Sequence, residues 1–194
     1  MNKHHRGTAP PGRIHIMGGS LRGSRLAVPV LPGLRPTPQR LRQTLFDWLA
    51  PVIAGANVLD AFAGSGALGI EALSRGARSA TFIERDAAQA RAIEADLARL
   101  HQTNATVRCG DALRILAEPA TAKFDIVFLD PPFNSGLWGE AMAALDTNGW
   151  LAPQAWVYVE SGNTDGWDAP ARWLLHRQRE AGAVRGTLYR VGAA

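Results

Sequence analysis

The stretch NVLDAFAGSGALGIEALSRGA, residues 57–77, carries the pattern that predicts the fold of this chain. Its first part, NVLDAFA, is mostly apolar and predicts a buried strand, whereas GALGIEALSRGA has apolar residues at helical spacing until Gly76 ends it. Gly64, Gly66 and Gly69 satisfy the spacing G-x-G-x-x-G. A strand, a glycine-rich turn and a helix in this order are typical of the first unit of a nucleotide-binding α/β fold.

The alternation of strand and helix continues after residue 77. Apolar runs predict strands at SATFIE, ATVRCG, FDIVFLD and AWVYVES, and helices are predicted at DAAQARAIEADLARLH, DALRILAE and GLWGEAMAALDTNG. The last two runs, RWLLHRQREAG and VRGTLYRV, predict a closing hairpin. Five strand–helix repeats favour an α/β fold with a Rossmann-like, doubly wound, mostly parallel sheet of seven strands.

The N-terminal part of the chain is strongly basic. Residues 1–46 contain eight Lys and Arg side chains and no acidic one, although the whole chain has a net charge of only +4. RIHIMGGSLRGSRLAVP predicts a β-hairpin, so we expect residues 1–36 to form a basic arm and hairpin that binds a polyanion. Residues 37–194 would then be the body, and we expect it to fold when residues 1–26 are removed. The alternative is a solvated arm that binds nothing.

A helix is predicted at QRLRQTLFDWLA, between the hairpin and the first strand of the body. Thr37 would cap it and Pro38 would occupy its first position. Its apolar residues should face the body, and we expect Arg40 and Arg42 to stay outside.

Composition excludes several classes of protein. A chain of 194 residues that is 46% hydrophobic can bury one substantial core. It has no run of about 18 apolar residues that would span a membrane. The start MNKHHRGTAPPGR lacks the apolar centre of a signal peptide, so we expect a cytoplasmic location. The single cysteine, Cys109, cannot form an internal disulfide, and its strand context predicts a core position.

Three acidic residues fall at the carboxyl ends of the first three predicted strands of the body. Asp60 precedes the glycine loop, where it would repel a pyrophosphate but attract the ammonium and sulfonium groups of S-adenosylmethionine. Glu84 can accept hydrogen bonds from two ribose hydroxyls, which also fits NAD. Asp111 can accept from an adenine amino group while the Ala112 N–H donates to the ring, although Asp111 could instead be only a helix cap.

The stretch FDIVFLDPPF, residues 124–133, ends a strand in a rigid corner, because proline cannot donate to a sheet. Asp130 and the Pro131 carbonyl can accept hydrogen bonds from an exocyclic amino group, and Phe133 can stack on a planar base. We predict that the corner holds a flipped or unpaired base and aims its amino nitrogen at the methyl group of the cofactor. A simple strand-ending turn is the alternative.

The motif Asp-Pro-Pro-Phe resembles the D/N-P-P-Y/F motif of amino methyltransferases that act on adenine N6, cytosine N4 or guanine N2. Together with GGSLRGSRL, RPTPQRLRQTLFDWL, VLDAFAGSGALGIEALSRGA and FIERD, it is similar to bacterial 16S ribosomal RNA (guanine-N2)-methyltransferases of the small subunit. The resemblance covers most of residues 13–159, and the tail after Gly162 matches only loosely. Ser24 stands where a further basic residue is expected, which puts one RNA contact in doubt.

This resemblance implies methyl transfer from S-adenosylmethionine to a guanine of 16S ribosomal RNA, in the small ribosomal subunit or its assembly intermediate. It implies a monomer that acts without a membrane, and transfer from a sulfonium needs no metal. The residues implied for the target guanine are Asp130, Pro131, Pro132 and Phe133. Those implied for the cofactor are Asp60, Phe62, Gly64, Gly66, Glu84, Arg85, Asp111 and Ala112. Those implied for the RNA backbone are Arg13, Arg22, Arg25, Arg35, Arg40 and Arg42.

Three other functions remain open from the sequence. An amino methyltransferase for adenine N6 or cytosine N4 would use the same corner, but usually carries a target-recognition segment for which this chain has no room. An NAD-dependent dehydrogenase is opposed by Asp60 at the phosphate position. An RNA-binding factor without catalytic activity is opposed by the combination of the corner with the three strand-end acids.

Overall fold

A computed structural model describes residues 13–27, 39–133 and 135–193 of the chain. The N-terminal elements are β1 (Arg13–His15), β2 (Arg25–Ala27) and α1 (Gln39–Leu49). The body continues with β3 (Asn57–Asp60), α2 (Ala67–Ser74), β4 (Ser79–Glu84), α3 (Ala87–Arg99), β5 (Ala105–Cys109), α4 (Ala112–Ala117), β6 (Phe124–Leu129), α5 (Trp138–Thr147), β7 (Leu151–Gly162), β8 (Trp173–Ala181) and β9 (Val184–Val191). The predicted cap at Thr37 and Pro38 lies outside the described residues.

Seven strands form one sheet in the order β5-β4-β3-β6-β7-β9-β8. The strands from β5 to β7 are parallel, whereas β9 runs antiparallel to both β7 and β8. The chain order reverses between β3 and β6, which places a crevice at their carboxyl ends. The predicted seven-stranded, mostly parallel, doubly wound sheet and its closing hairpin are therefore confirmed.

Helices cover both faces of the sheet, because successive strand residues point to opposite sides. One core unites α1, α2 and α3 with residues such as Val58, Phe128 and Tyr158. The other unites α4 and α5 with the alternate residues, such as Leu59 and Leu129. No helix within the described ranges is long and apolar enough to cross a membrane.

The N-terminal hairpin, formed by β1 and β2, packs on the first of these cores. Ile16 and Leu26 are each only 1% exposed and belong to the same apolar cluster as α1 and α2. Glu71, a fully buried residue of α2, accepts hydrogen bonds from the backbone N–H groups of Met17 at 2.7 Å and Gly18 at 2.9 Å. The hairpin is therefore part of the core rather than a loosely attached arm.

Further polar contacts hold the hairpin against α2 and α3. The Ser74 hydroxyl donates to the Gly18 carbonyl and accepts from the Leu21 N–H. The Ala27 N–H donates to a carboxylate oxygen of Asp96 at 3.1 Å. Polar side chains of α2 contact the turn of the hairpin, and a polar side chain of α3 contacts its end.

Two predictions about individual side chains are wrong. Arg42 is not outside: it is 5% exposed, and its guanidinium donates to the His15 carbonyl at 2.6 Å because α1 packs beneath the hairpin. Cys109 is exposed rather than in the core, because β5 lies at the edge of the sheet that the described residues form, beside β4. In both cases the neighbouring elements, and not the local pattern, decide the burial.

Candidate active site

The acids that end the parallel strands are brought to one edge of the sheet. Asp60 ends β3, Glu84 ends β4, and Asp111 follows β5 by two residues. Asp130 follows β6 directly, and Glu160 lies near the end of β7. Because β5, β4, β3, β6 and β7 are consecutive neighbours, these five carboxyls border one crevice.

Asp60 is buried at this edge of the sheet. It is 2% exposed, and its carboxylate accepts from the Gly69 N–H at 3.0 Å, in the first turn of α2. Burial raises the pKa of Asp60 to about 7; the Gly69 hydrogen bond opposes this rise and the charge of Glu84 adds to it. Among the described residues, no cation forms an ion pair with Asp60. A buried acid of this kind fits a cationic ligand.

The glycine loop between β3 and α2 is organised by Glu84. One carboxylate oxygen accepts from the Gly64 N–H at 2.7 Å, and the other accepts from the Asp86 N–H at 2.7 Å. Gly66 adopts a φ of 72°, a left-handed conformation that favours glycine, directly before α2. Glu84 therefore positions the loop, and its remaining lone pairs can still accept from ribose hydroxyls.

Gly69, the third glycine of the motif, has a packing role. A Cβ at this position would lie 2.2 Å from the ring of Phe82 in β4. Its absence lets α2 approach the sheet closely, which sets the distance between the start of the helix and Asp60.

Asp111 caps α4, the alternative that the sequence left open. Its carboxylate accepts from the Arg114 N–H at 3.1 Å. Ala112 is buried behind it, with 7% of its surface exposed. A capping carboxylate retains lone pairs for a further donor, so the contact to an adenine amino group stays a prediction. Phe62 is half-buried beside the loop and Arg85 is exposed, and their cofactor contacts also stay predictions.

The Asp-Pro-Pro-Phe corner closes the other side of the crevice. Pro131 is buried, Pro132 is exposed, and Phe133 is half-buried against the apolar cluster of α4 and α5. Asp130 is half-buried. Burial, then the charge of Glu160, then that of Asp60 raise the pKa of Asp130 well above its usual range.

Glu160 and Tyr158 belong to this site, although sequence reasoning missed them. Glu160 is 1% exposed, and one of its carboxylate oxygens accepts from the Tyr158 hydroxyl at 3.0 Å. Trp138 of α5 donates its indole N–H to the Glu160 carbonyl at 2.9 Å. The run AWVYVES did contain the signal, since an acid at the end of a predicted parallel strand was the criterion that found Asp60 and Glu84.

The predicted basic surface lies partly within the described residues. Arg22 and Arg25 of the hairpin and Arg40 of α1 are exposed. Arg42 is buried and holds the hairpin, so it is not a surface contact for a phosphate. Arg35 and the side chain of Arg13 lie outside the described part of the structure.

The chain is similar to several known proteins. The model of the family described as conserved hypothetical protein 95 matches residues 14–190. The chain is 50% identical over 179 residues to the ribosomal RNA small subunit methyltransferase D of Escherichia coli K12, covering 92% of this chain and 90% of the relative. It is 41% identical over 181 residues to the protein of the same name from Haemophilus influenzae, covering 92% and 94%.

Solved structures show the same fold. The yhhF protein of Escherichia coli superposes with a TM-score of 0.85 at 49% identity, covering 94% of this chain and all of that one. The Thermus thermophilus protein TTHA0928 superposes with a TM-score of 0.76 at 30% identity, covering 92% of this chain and 99% of that one. The chain therefore belongs to the conserved hypothetical protein 95 family, and it is a relative of the ribosomal RNA small subunit methyltransferases D of Escherichia coli and Haemophilus influenzae.

Proposed function

We propose that this chain is an S-adenosylmethionine-dependent enzyme that methylates the exocyclic N2 of a guanine in 16S ribosomal RNA. The observation that carries the proposal is the pairing of two sites at one sheet edge. Asp60 of the glycine loop and Asp130 of the proline corner end neighbouring strands and are close enough to influence each other electrostatically. The relatives named ribosomal RNA small subunit methyltransferase D support the choice of substrate.

The crevice fits S-adenosylmethionine through the residues on its cofactor side. Asp60 is a buried carboxyl without an ion-pair partner among the described residues, and it suits the cationic methionine end. Glu84 would accept from the ribose hydroxyls, and Asp111 with the Ala112 N–H would bind the adenine. Phe62, Gly64, Gly66 and Arg85 complete this proposed set. When bound, the cofactor supplies an electrophilic methyl group.

The corner supplies the other half of the chemistry. The N2 lone pair of guanine is delocalised into the ring, so the free amino group is a poor nucleophile. Asp130 and the Pro131 carbonyl would accept the two N–H bonds, direct the lone pair at the methyl group and stabilise the positive charge that develops on nitrogen. Pro132 keeps the corner rigid, and Phe133 would stack on the base. Asp130 is thus the proposed catalytic residue.

The RNA would cross the face that carries the hairpin. Arg22, Arg25 and Arg40 are exposed and can contact phosphates. The phosphate contacts proposed for Arg13 and Arg35 rest on the sequence alone. Contacts to phosphates position the substrate without reading its sequence, so the identity of the base would be read at the corner. The proposal includes a monomeric enzyme without a bound metal, located in the cytoplasm where ribosomal subunits are assembled.

A methyl-transfer assay tests the proposal directly. The protein is incubated with labelled S-adenosylmethionine and one of three substrates: small ribosomal subunits lacking the modification, free 16S RNA or double-stranded DNA. We expect label on a single guanine N2 in the RNA. Label on adenine N6 or cytosine N4, in DNA above all, would instead support the second class of amino methyltransferase.

A further inference from the structure

β6 and β7 place a second carboxyl beside Asp130. In the parallel register of β6 and β7, Phe128 pairs with Tyr158 and Leu129 pairs with Val159. The next residues after these pairs are Asp130 and Glu160. Residues two apart on a strand point to the same face. Phe128 and Tyr158 share a face, with ring centroids 6.5 Å apart, and Asp130 and Glu160 therefore follow on that same face.

Glu160 is held in this place by its own set of contacts. The Tyr158 hydroxyl donates to its carboxylate, and the Trp138 indole donates to its backbone carbonyl. Tyr158 is fully buried, and a Cβ at Gly186 of β9 would lie 2.5 Å from the Tyr158 hydroxyl, so Gly186 leaves the space that this hydroxyl needs. A hydroxyl that donates to a carboxylate favours its ionised form. The Tyr158 hydroxyl and the Trp138 indole therefore hold the Glu160 side chain and backbone in place beside Asp130.

The charge of Glu160 acts on Asp130 more strongly than any other nearby charge. Within the described residues, the titratable groups that interact with Asp130 are Glu160 and Tyr158 of β7 and Asp60 of β3. Glu160 raises the pKa of Asp130 more than Asp60 does, and only burial raises it further. A carboxylate next to another carboxylate holds a proton more tightly, because two like charges repel each other.

We propose that Glu160 is a positioning residue that makes Asp130 a strong enough base to take the proton released by the methylated amino group. The inference rests on the proposed function, because it assigns the target nitrogen to Asp130. Methyl transfer forms a C–N bond and breaks the C–S bond of the donor, which leaves as a neutral thioether. The nitrogen then carries a positive charge and loses one proton, which Asp130 accepts as a carboxylate.

The test removes the charge of Glu160 while keeping the shape of its side chain. In Glu160→Gln, the pKa of the Asp130 carboxyl, followed by 13C NMR in the free protein, should fall by about one unit. At saturating cofactor and RNA, the acid limb of the single-turnover rate should move to lower pH by a similar amount. The rate on the plateau should fall by up to about tenfold, because a weaker acceptor stabilises less of the positive charge that develops on the nitrogen during methyl transfer.

Two matched variants separate this role from a structural one. Glu160→Asp keeps the carboxylate but moves it away from Asp130. The pKa of Asp130 in this variant should therefore lie between its values in the wild type and in Glu160→Gln. If Glu160→Gln does not fold, the expected fall in the pKa of Asp130 in Glu160→Asp tests the role of Glu160 by itself. Ser161→Ala removes the neighbouring buried hydroxyl, which has no hydrogen-bond partner among the described residues, and should leave the titration and the rate profile unchanged.

The outcomes also distinguish this inference from the proposed function. Asp130 titrating at an unchanged pH in both Glu160 variants would overturn the role of Glu160. Full activity in Asp130→Asn would instead overturn the proposed active site. A loss of stability in Glu160→Gln without any movement of the acid limb would reduce Glu160 to a structural residue.

Discussion

Asp60 has a carboxyl that changes its charge near neutral pH. Burial raises its pKa to about 7, so at pH 6 the free protein holds it largely protonated. A cation bound beside it would stabilise the ionised form and lower this pKa. Cofactor binding and ionisation of Asp60 are then linked, because the ligand binds the ionised form more tightly.

The resulting prediction concerns the pH dependence of cofactor affinity. Between pH 7.5 and 5.5, S-adenosylmethionine affinity should fall by up to about tenfold for each unit below pH 7, since a proton must leave Asp60 on binding. Calorimetry in buffers of different ionisation enthalpy should detect the released proton at pH 6. Asp60→Asn should bind weakly and without this dependence. A wild-type affinity that is constant over this range would place the cation elsewhere.

Substitution of Asp130 should affect the rate of methyl transfer, whereas substitution of Asp60 should affect cofactor affinity. Asp130→Asn should lower the rate of methyl transfer about 100-fold or more, because it removes the negative acceptor from the transition state. Its affinity for S-adenosylmethionine, measured by calorimetry, should change little. Asp125→Asn is a matched control, because this acid lies on the same strand and accepts from the Asn57 N–H at the opposite end of the sheet. Near-normal transfer by Asp130→Asn would contradict the assignment.

At the scale of elements, α2 connects the cofactor loop to the hairpin. Its first turn donates to Asp60, whereas its second turn carries Glu71, which accepts from the hairpin backbone and pairs with Arg75 at 2.8 Å. The Arg75 guanidinium also lies 5.0 Å from the centre of the Phe46 ring in α1. The helix therefore fixes the hairpin relative to the crevice.

Removing the Glu71 carboxylate should destabilise the protein. Glu71→Ala leaves two partly buried backbone N–H groups without this acceptor, at a cost of about 2 kcal/mol or more in the free energy of unfolding. Denaturant unfolding measures this cost, and the exposed Glu94→Ala on α3 serves as the control. Glu71→Gln, which retains an acceptor, should lose less. Equal stability of Glu71→Ala and the wild type would show that the hydrogen bonds from the hairpin backbone to Glu71 contribute nothing to stability.

The exposed arginines of the hairpin should contribute to RNA binding through counterion release. The double variant Arg22→Ala/Arg25→Ala should bind RNA more weakly and reduce the slope of log affinity against log salt by about 1.5 to 2. Titrations at several salt concentrations measure the slope. The control is Arg114→Ala, an exposed residue of α4 on the opposite face of the sheet. If the double variant kept the wild-type slope, the RNA path would have to avoid the hairpin.

At the scale of the whole molecule, the hairpin and the body share one apolar core. The sequence predicted a body that folds without residues 1–26, but Ile16 and Leu26 are buried in the same core as α1 and α2. Deleting residues 1–27 should therefore lower the free energy of unfolding by about 4 kcal/mol or more, since two buried side chains and the hydrogen bonds to Glu71 are lost. A truncated protein with wild-type stability in denaturant unfolding would restore the earlier expectation.

The sequence alone was enough to predict the order of the elements, the mostly parallel sheet and the crevice bordered by Asp60, Glu84 and Asp130. These follow from local periodicity and from the rule that parallel strands end at one edge, which needs no knowledge of the neighbours. The wrong or missing assignments all depend on the neighbours. Arg42 is buried because the hairpin covers it, and Cys109 is exposed because β5 lies at the edge of the sheet that the described residues form.

The tertiary structure also decided which acids act together. Asp130 and Glu160 are thirty residues apart in the chain, and only the β6–β7 register makes them adjacent. In the sequence Glu71 is one residue of a predicted helix. Only the tertiary structure brings the backbone N–H groups of the hairpin to its carboxylate. Burial and charge coupling are properties of pairs of elements, so a pattern read along one segment cannot contain them.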